Sequence, residues 1–291
     1  MLLLDGKAAS QALKDRLKKQ VAEASQRFGR PPHLAAILVG SNGASETYVA
    51  SKIRSCEETG FKSTLIRMPE DVKEITLVER ISALNDDSSV DGILVQLPLP
   101  AHVNENRIIE LINPKKDVDG FHPVNAGKLM LGQKGFVPAT PQGIMFMLEH
   151  YKIETAGKHA VVIGRSNIVG RPVSVLLSSN SDPGNCTVTV THSRTKDLLK
   201  ICREADIIVA AIGIPGFVKA EMVKPGAVVI DVGITRVEDA TKKSGYSIKG
   251  DVDFGGVSEL AAAISPVPGG VGLMTIAALL QNTYDAFINN N

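Results

Sequence analysis

A tyrosine and a lysine stand four positions apart in residues 45–52, which read SETYVASK. Residues at this spacing lie one turn apart on the same face of a helix, and Ser45 extends that face by another turn. The phenol of Tyr48, the ammonium of Lys52 and the hydroxyl of Ser45 would then share one small volume, and all three can donate hydrogen bonds. The same spacing also fits a solvated helix face that begins with an N-cap serine.

A glutamine follows an apolar run at residues 92–95, where the chain reads QLPLP from Gln96 to Pro100. Two prolines cannot continue the pairing of a sheet, so the strand is expected to end here. Gln96 would then stand at the carboxyl edge of the sheet, where its amide could bind a neighbouring lysine or a ligand. A side chain that only satisfies the loop is the alternative.

Two carboxylates, Asp117 and Asp119, are separated by one residue in the segment 113–120. This spacing raises the question of a metal site, but the segment offers no further oxygen ligands of the calcium-loop kind. We therefore predict a turn with one functional aspartate and no metal.

Strands and helices alternate through the first half of the chain. The predicted elements are a strand at 2–4, a helix around 13–24, a strand at 33–39, a helix at 45–59, a strand at 64–67, a helix at 72–84 and a strand at 92–95. This βαβαβ order predicts a parallel sheet, and ligands of such sheets bind outside the carboxyl ends of the strands. Ser45 would lie at one such end.

A second strand, turn and helix begin at Lys158. The residues from 127 to 135 are predicted to form a surface loop and those from 142 to 150 a helix, with a domain boundary near residue 140. The turn GRSNIVG at 164–170 would aim backbone N–H groups and a helix N-terminus at a phosphate. It is not the full G-x-G-x-x-G pattern, since Ser166 replaces the middle glycine. No Walker A pattern occurs, which argues against a nucleotide hydrolase.

The strand predicted at 187–190 is followed by Thr-His-Ser-Arg at 191–194. An NAD-binding unit usually has an acidic residue here, which binds the ribose 2′-hydroxyl. A hydroxyl from Ser193 and a guanidinium from Arg194 suit a 2′-phosphate instead, with Arg165 at the first turn. The segment therefore favours NADP over NAD, and a solvated basic loop is the alternative.

Later strands at 207–211 and 228–231 each run into a glycine-containing turn, at Gly213 and Gly233. Glycines there would let a cofactor lie close to the backbone. The second half is thus predicted to be a Rossmann-type dinucleotide-binding domain, followed by a helix from 274 to 288 that packs back on the first domain.

Composition agrees with a soluble two-domain protein: of the 291 residues, 44% are hydrophobic and 22% charged. The net charge of +1 gives no electrostatic signal for nucleic acid or a membrane. Three cysteines without C-x-x-C pairing indicate neither disulfides nor zinc. The apolar run at the N-terminus is interrupted by Asp5 and is too short for a signal peptide, so a cytoplasmic location is expected.

Five motifs occur in an order that resembles the bifunctional methylenetetrahydrofolate dehydrogenase/cyclohydrolase family, nearly end to end. They are YVASK at 48–52, DGILVQLPLP at 91–100, KDVDG at 116–120, GRS at 164–166 and PVPGGVG at 266–272. The chain departs from the family pattern at Ala139, where a cysteine is common, and at Leu273, where a proline is common.

The resemblance implies an α/β fold of two domains. A folate-binding βαβ domain at 1–140 would be completed by residues 268–291, and a Rossmann-type domain would span 141–267. It further implies oxidation of 5,10-methylenetetrahydrofolate with NADP, hydrolysis of the methenyl product to 10-formyltetrahydrofolate, a role in one-carbon metabolism, and a homodimer.

The resemblance also implies residue roles. Lys52 would be the acid/base group of hydration, oriented by Gln96 and Tyr48, while Asp119 would bind the pterin N–H groups and Ser45 would assist Lys52 or only cap the helix. The implied catalytic set is Lys52, Tyr48, Gln96, Asp119 and Ser45. The implied cofactor-binding set is Gly164, Arg165, Ser166, Ile168, Ser193, Arg194, Gly213 and Ile234. The implied substrate-binding set is Tyr48, Val95, Leu97, Asp119, Pro268, Gly269 and Gly272.

Other classes fit the residues less well. Short-chain dehydrogenases also use Tyr-x-x-x-Lys, but after the nucleotide-binding glycines, whereas Tyr48 precedes Gly164 by over a hundred residues. An amino-acid or shikimate-type dehydrogenase would bind a small acid in the first domain. A dinucleotide sensor would have no need of Lys52, Gln96 and Asp119 together.

Overall fold

A computed structural model describes residues 1–242 and 245–291, the side chain of Ala44 excepted. Its contacts divide the chain into two compact units. The Lys52 unit comprises Gln11–Ala139 and Ile276–Asn291, and the Gly164 unit comprises Met1–Ser10 and Thr140–Thr275. Residues 1–10 and 268–275 thus pack with the Gly164 unit, while the domain limits drawn from the sequence remain a prediction.

The described residues form the following elements in chain order. The strands are β1 (Leu2–Leu3), β2 (His33–Val39), β3 (Lys62–Met68), β4 (Gly92–Val95), β5 (His159–Ile163), β6 (Thr187–Thr191), β7 (Ile207–Ala210), β8 (Val228–Asp231), β9 (Thr235–Glu238), β10 (Tyr246–Lys249) and β11 (Ala263–Ile264). The α-helices are α1 (Gly6–Phe28), α2 (Gly43–Thr59), α3 (Glu74–Asp86), α4 (Glu105–Leu111), α5 (Pro123–Met130), α6 (Ala139–His150), α7 (Gly170–Ser178), α8 (Leu198–Arg203), α9 (Phe254–Ser258) and α10 (Val271–Asn290), and Ala220–Met222 forms a 3-10 turn. No described helix is both long and apolar enough to cross a membrane.

The Lys52 unit is built on a parallel sheet in the order β3-β2-β4. Every residue of β2 and β4 is buried, as expected for central parallel strands with both faces covered. Leu77 and Ile81 of α3 belong to the same core cluster as Ile37 of β2 and Ile93 of β4. The βαβαβ order predicted from the sequence is therefore present, and Gln96 leaves the sheet directly after β4.

The sequence did not predict two short helices of the Lys52 unit, α4 and α5, and α5 corrects the predicted loop at 127–135. Residues 127–130 belong to α5, and only the remainder is irregular. Local caps define both helices: the Asn104 side chain accepts the N–H of Arg107 at the start of α4, and the His122 ring accepts the N–H of Val124 at the start of α5. Helices of seven and eight residues are too short to show a clear apolar period.

The Gly164 unit contains a parallel sheet in the order β1-β11-β8-β7-β5-β6. The chain passes from β5 to β6 on one side and returns to β7 on the other side of β5. This reversal makes the carboxyl end of β5 a switch point, where open α/β sheets bind ligands. Strand β1 pairs with β11 and so belongs to this sheet, and an antiparallel hairpin of β9 and β10 was not predicted.

Candidate active site

Helix α2 carries the Tyr48 and Lys52 pair, but it begins before Ser45. The Asn42 side chain accepts the N–H of Ser45 at 3.2 Å, and the Asn42 carbonyl accepts the N–H of Glu46. Asn42 is therefore the cap, and the suggestion that Ser45 caps the helix is wrong. Ser45 instead lies buried in the first turn.

Lys52 is buried, with 4% of its surface exposed, and its Nζ donates to Gln96 Oε1 at 3.1 Å. The other end of the amide is fixed as well, because Gln96 Nε2 donates to the carbonyl of Leu97 at 2.8 Å. The carbonyl oxygen of Gln96 thus faces the lysine. A glutamine at the end of β4 and a lysine on α2 meet as the sequence suggested.

The aromatic ring of Tyr48 also contacts the lysine, since Lys52 Nζ lies 4.9 Å from the ring centroid. A cation at this distance is attracted by the negative face of the ring. The ring is half-buried, so part of it remains open to a ligand. The predicted common face of Tyr48 and Lys52 is present.

Burial shifts the pKa values of two charged groups in opposite directions. It lowers the pKa of Lys52, against the opposing effects of Asp119 and Cys56. It raises the pKa of Asp119 to about 6, against the nearby Lys52 and with support from Asp117. Burial also raises the pKa of the Cys56 thiol to about 12, which keeps that group neutral. The site therefore combines an amine that releases its proton more readily than a free lysine with a carboxyl group that titrates near pH 6.

The two aspartates of KDVDG have different surroundings. The carboxylate of Asp117 accepts the N–H groups of Phe121 and His122 and an amide N–H of Asn125. These three bonds hold the turn that follows Asp117. Asp119 is the one that shares a charge interaction with Lys52. Within residues 1–242 and 245–291, no group of three or more His, Cys, Asp or Glu side chains is arranged to hold a metal ion.

The two predicted substrate-binding residues at the end of β4 expose less side-chain surface than the prediction implied. Val95 is 5% exposed and belongs to the core cluster, so its side chain packs inward. Leu97 is half-buried beyond the strand end.

The turn after β5 has a backbone that only glycine suits. Gly164 has a φ of +121°, and a Cβ there would collide with the carbonyl oxygen of Ala211. Ser166 Oγ accepts the N–H groups of Val169 and Gly170, each at 3.2 Å, at the start of α7. The side chains of Arg165, Ser166 and Ile168 are exposed around this turn.

Strand register brings the other predicted cofactor residues to the same edge of the sheet. Ile163 of β5 is paired with Thr191 of β6 and with Ala210 of β7, and Ala210 is paired with Asp231 of β8. The segments that follow these strands therefore leave the sheet together. They carry exposed side chains at Ser193, Arg194 and Ile234, and a glycine at Gly213 with a φ of +70°.

The predicted folate residues Pro268, Gly269 and Gly272 lie in the Gly164 unit. A Cβ at Gly272 would lie 3.0 Å from the end of the Ile234 side chain, so this glycine is adjacent to a predicted cofactor residue. The side chain of Leu273 is 38% exposed next to it, whereas Ala139 is buried.

Sequence reasoning assigned no role to Asp231 and Asp251, which are buried and bonded to the turns at this edge. Ile214, which follows Gly213 directly, has 51% of its surface exposed. The signal that the sequence offered for these residues was Asp231, an aspartate at the end of an apolar strand.

Comparison with known families gives two matches that together cover most of the chain. The catalytic domain of tetrahydrofolate dehydrogenase/cyclohydrolase matches residues 4–119, and the NAD(P)-binding domain of the same family matches residues 138–291. The bifunctional protein FolD of Flavobacterium johnsoniae is 59% identical over 283 residues, which is 97% of this chain and 96% of that protein.

Solved structures of the same family are similar to this chain. A bifunctional FolD methylenetetrahydrofolate dehydrogenase/cyclohydrolase from Campylobacter jejuni has a TM-score of 0.93 at 49% identity and covers all of both chains. The Trypanosoma brucei methylenetetrahydrofolate dehydrogenase-cyclohydrolase, solved with NADP and an inhibitor, has a TM-score of 0.94 at 39% identity, over 99% of this chain and 98% of that one.

Proposed function

This chain belongs to the tetrahydrofolate dehydrogenase/cyclohydrolase family, and from that membership we propose how its own residues divide the two reactions. The protein is a bifunctional enzyme with an NAD(P)-binding domain, which oxidises 5,10-methylenetetrahydrofolate and hydrolyses the methenyl product. The identity of the proton-transfer group, the choice of NADP and the binding residues are our proposal.

Lys52 is the acid/base group of the hydrolysis. The observation that carries this assignment is a buried amine that donates its hydrogen bond to a neutral amide, Gln96 Oε1 at 3.1 Å. The methenyl bridge is a cation, and a cation beside Lys52 would lower its pKa further in the same direction as burial. A neutral amine can take a proton from the attacking water and return it to the leaving nitrogen.

Gln96 and Tyr48 orient the amine, and the exposed part of the Tyr48 ring offers a stacking surface to the pterin. Asp119 accepts hydrogen bonds from the pterin amino and ring N–H groups, a donor pair that a carboxylate fits. Its interaction with Lys52 would then connect binding of the pterin to the charge on the amine. Ser45, buried one turn before Tyr48, assists Lys52.

The dehydrogenase step needs no protein proton donor, since a hydride passes directly to the nicotinamide ring. The protein therefore acts by positioning. The turn at Gly164–Ser166 with the N-terminus of α7 would hold the pyrophosphate, and Ile168, Gly213 and Ile234 would line the cofactor.

We assign NADP in preference to NAD. Ser193 and Arg194 are exposed where β6 ends, and the segment has no acidic side chain at 191–194 that would repel a 2′-phosphate. Arg165 is exposed at the neighbouring turn. The trypanosomal relative with NADP supports the same choice.

The remaining expectations from the sequence are proposals of the same kind. They are folate contacts from Val95, Leu97, Pro268, Gly269 and Gly272, a homodimer, and a cytoplasmic location.

The test is the rate at which purified protein forms the methenyl product from 5,10-methylenetetrahydrofolate, with NADP and with NAD in parallel. A higher kcat/KM with NADP supports the cofactor assignment, and an equal or higher value with NAD contradicts it. Release of 10-formyltetrahydrofolate is followed in the same samples, so that the hydrolysis is judged separately.

A further inference from the structure

A buried aspartate, Asp251, is bonded to the turn that follows β7. Its Oδ2 accepts the N–H of Ile212 at 2.7 Å and the N–H of Gly213 at 3.0 Å. These two N–H groups belong to a turn without regular pairing, so the carboxylate fixes the position of the turn. Gly213 is one of the residues proposed to line the cofactor.

The same aspartate is connected to the turn that follows β8 through a second carboxylate. Asp231, the last residue of β8, accepts the N–H of Gly233 at 2.9 Å and the N–H of Asp251 at 2.8 Å on Oδ1. Its Oδ2 accepts the N–H of Val252 at 3.0 Å. A continuous chain of hydrogen bonds therefore joins the Gly213 turn to the turn before Ile234.

Two glycines show how closely this chain is packed. A Cβ at Gly233 would collide with the carboxylate and the backbone N of Asp251, and a Cβ at Gly250 would collide with the carboxylate of Asp231. No side chain fits at either position without moving a carboxylate. The turns consequently have little freedom to shift while the hydrogen bonds are intact.

Burying these two carboxylates costs free energy of folding, and the pairing of the strands does not by itself require that they be buried. Asp231 is 3% exposed and Asp251 fully buried, and within the described part of the chain neither forms a salt bridge. Burial, reinforced by Asp251, raises the pKa of Asp231 to about 6. Asp251 Oδ1 has no hydrogen-bond partner among the described residues. Such costs are typical of groups kept for a functional geometry.

We propose that Asp251 is a positioning residue for the dinucleotide, which holds the turns at Gly213 and Gly233 in the geometry that lines the cofactor. This rests on the proposed function, because it takes these turns as part of the cofactor site. Asp251 does not touch the cofactor, since it is fully buried. It acts through the N–H groups of Ile212 and Gly213.

The test compares Asp251→Ala with Asp251→Asn, and uses Asp253→Ala as the matched control. Alanine removes the acceptor, whereas asparagine retains one oxygen that can receive both N–H groups. Asp253 lies two residues further on, is about half exposed and pairs with Lys219. We expect Asp251→Ala to raise the KM for NADP about tenfold or more, with the cyclohydrolase rate unchanged, and Asp251→Asn to recover most of the affinity.

A KM for NADP within about twofold of wild type in Asp251→Ala would overturn the proposal, as would an equal rise in Asp253→Ala. If Asp251→Ala also loses cyclohydrolase activity, Asp251→Glu takes its place. Glutamate keeps the charge but sets the carboxylate one methylene away from its position, and the same expectations apply. Failure of the proposed function is distinguishable, because the wild-type protein itself would then show no saturation by NADP.

Discussion

Lys52 Nζ and Gln96 Oε1 are 3.1 Å apart, so the buried ammonium of this enzyme is hydrogen-bonded by a neutral amide. A carboxylate at the same distance would stabilise the charged form strongly, whereas an amide does so only weakly. The amide oxygen is also held in place by the bond from Gln96 Nε2 to the carbonyl of Leu97. The glutamine can therefore orient the amine without preventing loss of its proton.

Replacement of the amide by a carboxylate should move the pH dependence of the hydrolysis. In Gln96→Glu, a negative charge beside Lys52 raises the pKa of the amine, and the neutral form appears only at higher pH. We expect the rising limb of the cyclohydrolase pH–rate profile to move upward by about one unit or more. Gln133→Glu, at an exposed position of the same unit, is the control. An unchanged profile in Gln96→Glu would mean that Lys52 does not titrate in the rate-limiting step.

Removal of the amine should separate chemistry from binding. Methionine has nearly the length of lysine but cannot exchange protons, so Lys52→Met should lower the cyclohydrolase rate by about a hundredfold or more. Binding of folate should remain measurable by titration calorimetry. Lys62→Met, on an exposed position of β3, controls for a general effect of the substitution. Equal losses of binding and turnover in Lys52→Met would indicate a structural role.

Asp119 should make folate binding depend on pH. Its pKa is raised to about 6, so the group is a carboxylate above that value and a neutral acid below it. The carboxylate is the form that accepts two N–H donors, and binding of a folate analogue should therefore weaken as the pH falls through 6. In Asp119→Asn this dependence should disappear, since the amide does not titrate. A wild-type affinity that stays constant between about pH 5 and 8 would count against the assignment.

Helix spacing predicted the shared face of Tyr48 and Lys52 correctly, while the partner of the short strand β1 was not predictable. Tyr48 and Lys52 share a face because helix geometry alone relates residues four apart. The end of β4 before Gln96 followed from the prolines. By contrast, β1 has two residues and pairs with Ala263 and Ile264, and no local periodicity indicates such a partner.

The hydrogen-bond chain through Asp231 and Asp251 was missed for a similar reason. The N–H of Asp251 reaches a carboxylate twenty positions earlier, across an unpredicted hairpin. Serine is a favoured cap residue, which made a cap at Ser45 one of two alternatives, but Asn42, three residues earlier, forms the capping bond in the structure.

Arg194 should determine the choice between cofactors. The guanidinium is exposed where β6 ends. Its loss should weaken binding of a cofactor that carries a 2′-phosphate, without affecting binding of one that carries a 2′-hydroxyl. We expect Arg194→Ala to lower kcat/KM about tenfold or more for NADP and less than about threefold for NAD. Arg203→Ala is the control, because it removes another arginine of the same unit, one that donates to the carbonyl of Glu221. If the preference between the two cofactors is the same in Arg194→Ala and in wild type, Arg194 lies outside the cofactor site.

Asp231 should give the Gly164 unit a dependence of stability on pH with an unusual sign. Its pKa in the folded protein is about 6, above the ordinary value of 3.8. A raised value means that folding favours the protonated acid, so the contribution to stability is complete below 3.8 and is lost as the pH rises through 6. The size of this effect is roughly 3 kcal/mol at most. Asparagine cannot titrate, so the stability of Asp231→Asn relative to wild type should rise with pH between about pH 4 and 7.

Asp206 provides the opposite case in the same unit. The bond from Lys224 lowers the pKa of Asp206, so its contribution is present at neutral pH and is lost as the pH falls through its folded value. Thermal midpoints of wild type, Asp231→Asn and Asp206→Asn are compared from about pH 2 to 7. The difference from wild type should rise with pH between about pH 4 and 6 for Asp231→Asn, and for Asp206→Asn it should fall with pH below about pH 4 and stay level above it. The loss of the bond to Val252 lowers the midpoint of Asp231→Asn at every pH, so only the slope is diagnostic. A slope of zero for Asp231→Asn would mean that this carboxyl group has an ordinary pKa despite its burial.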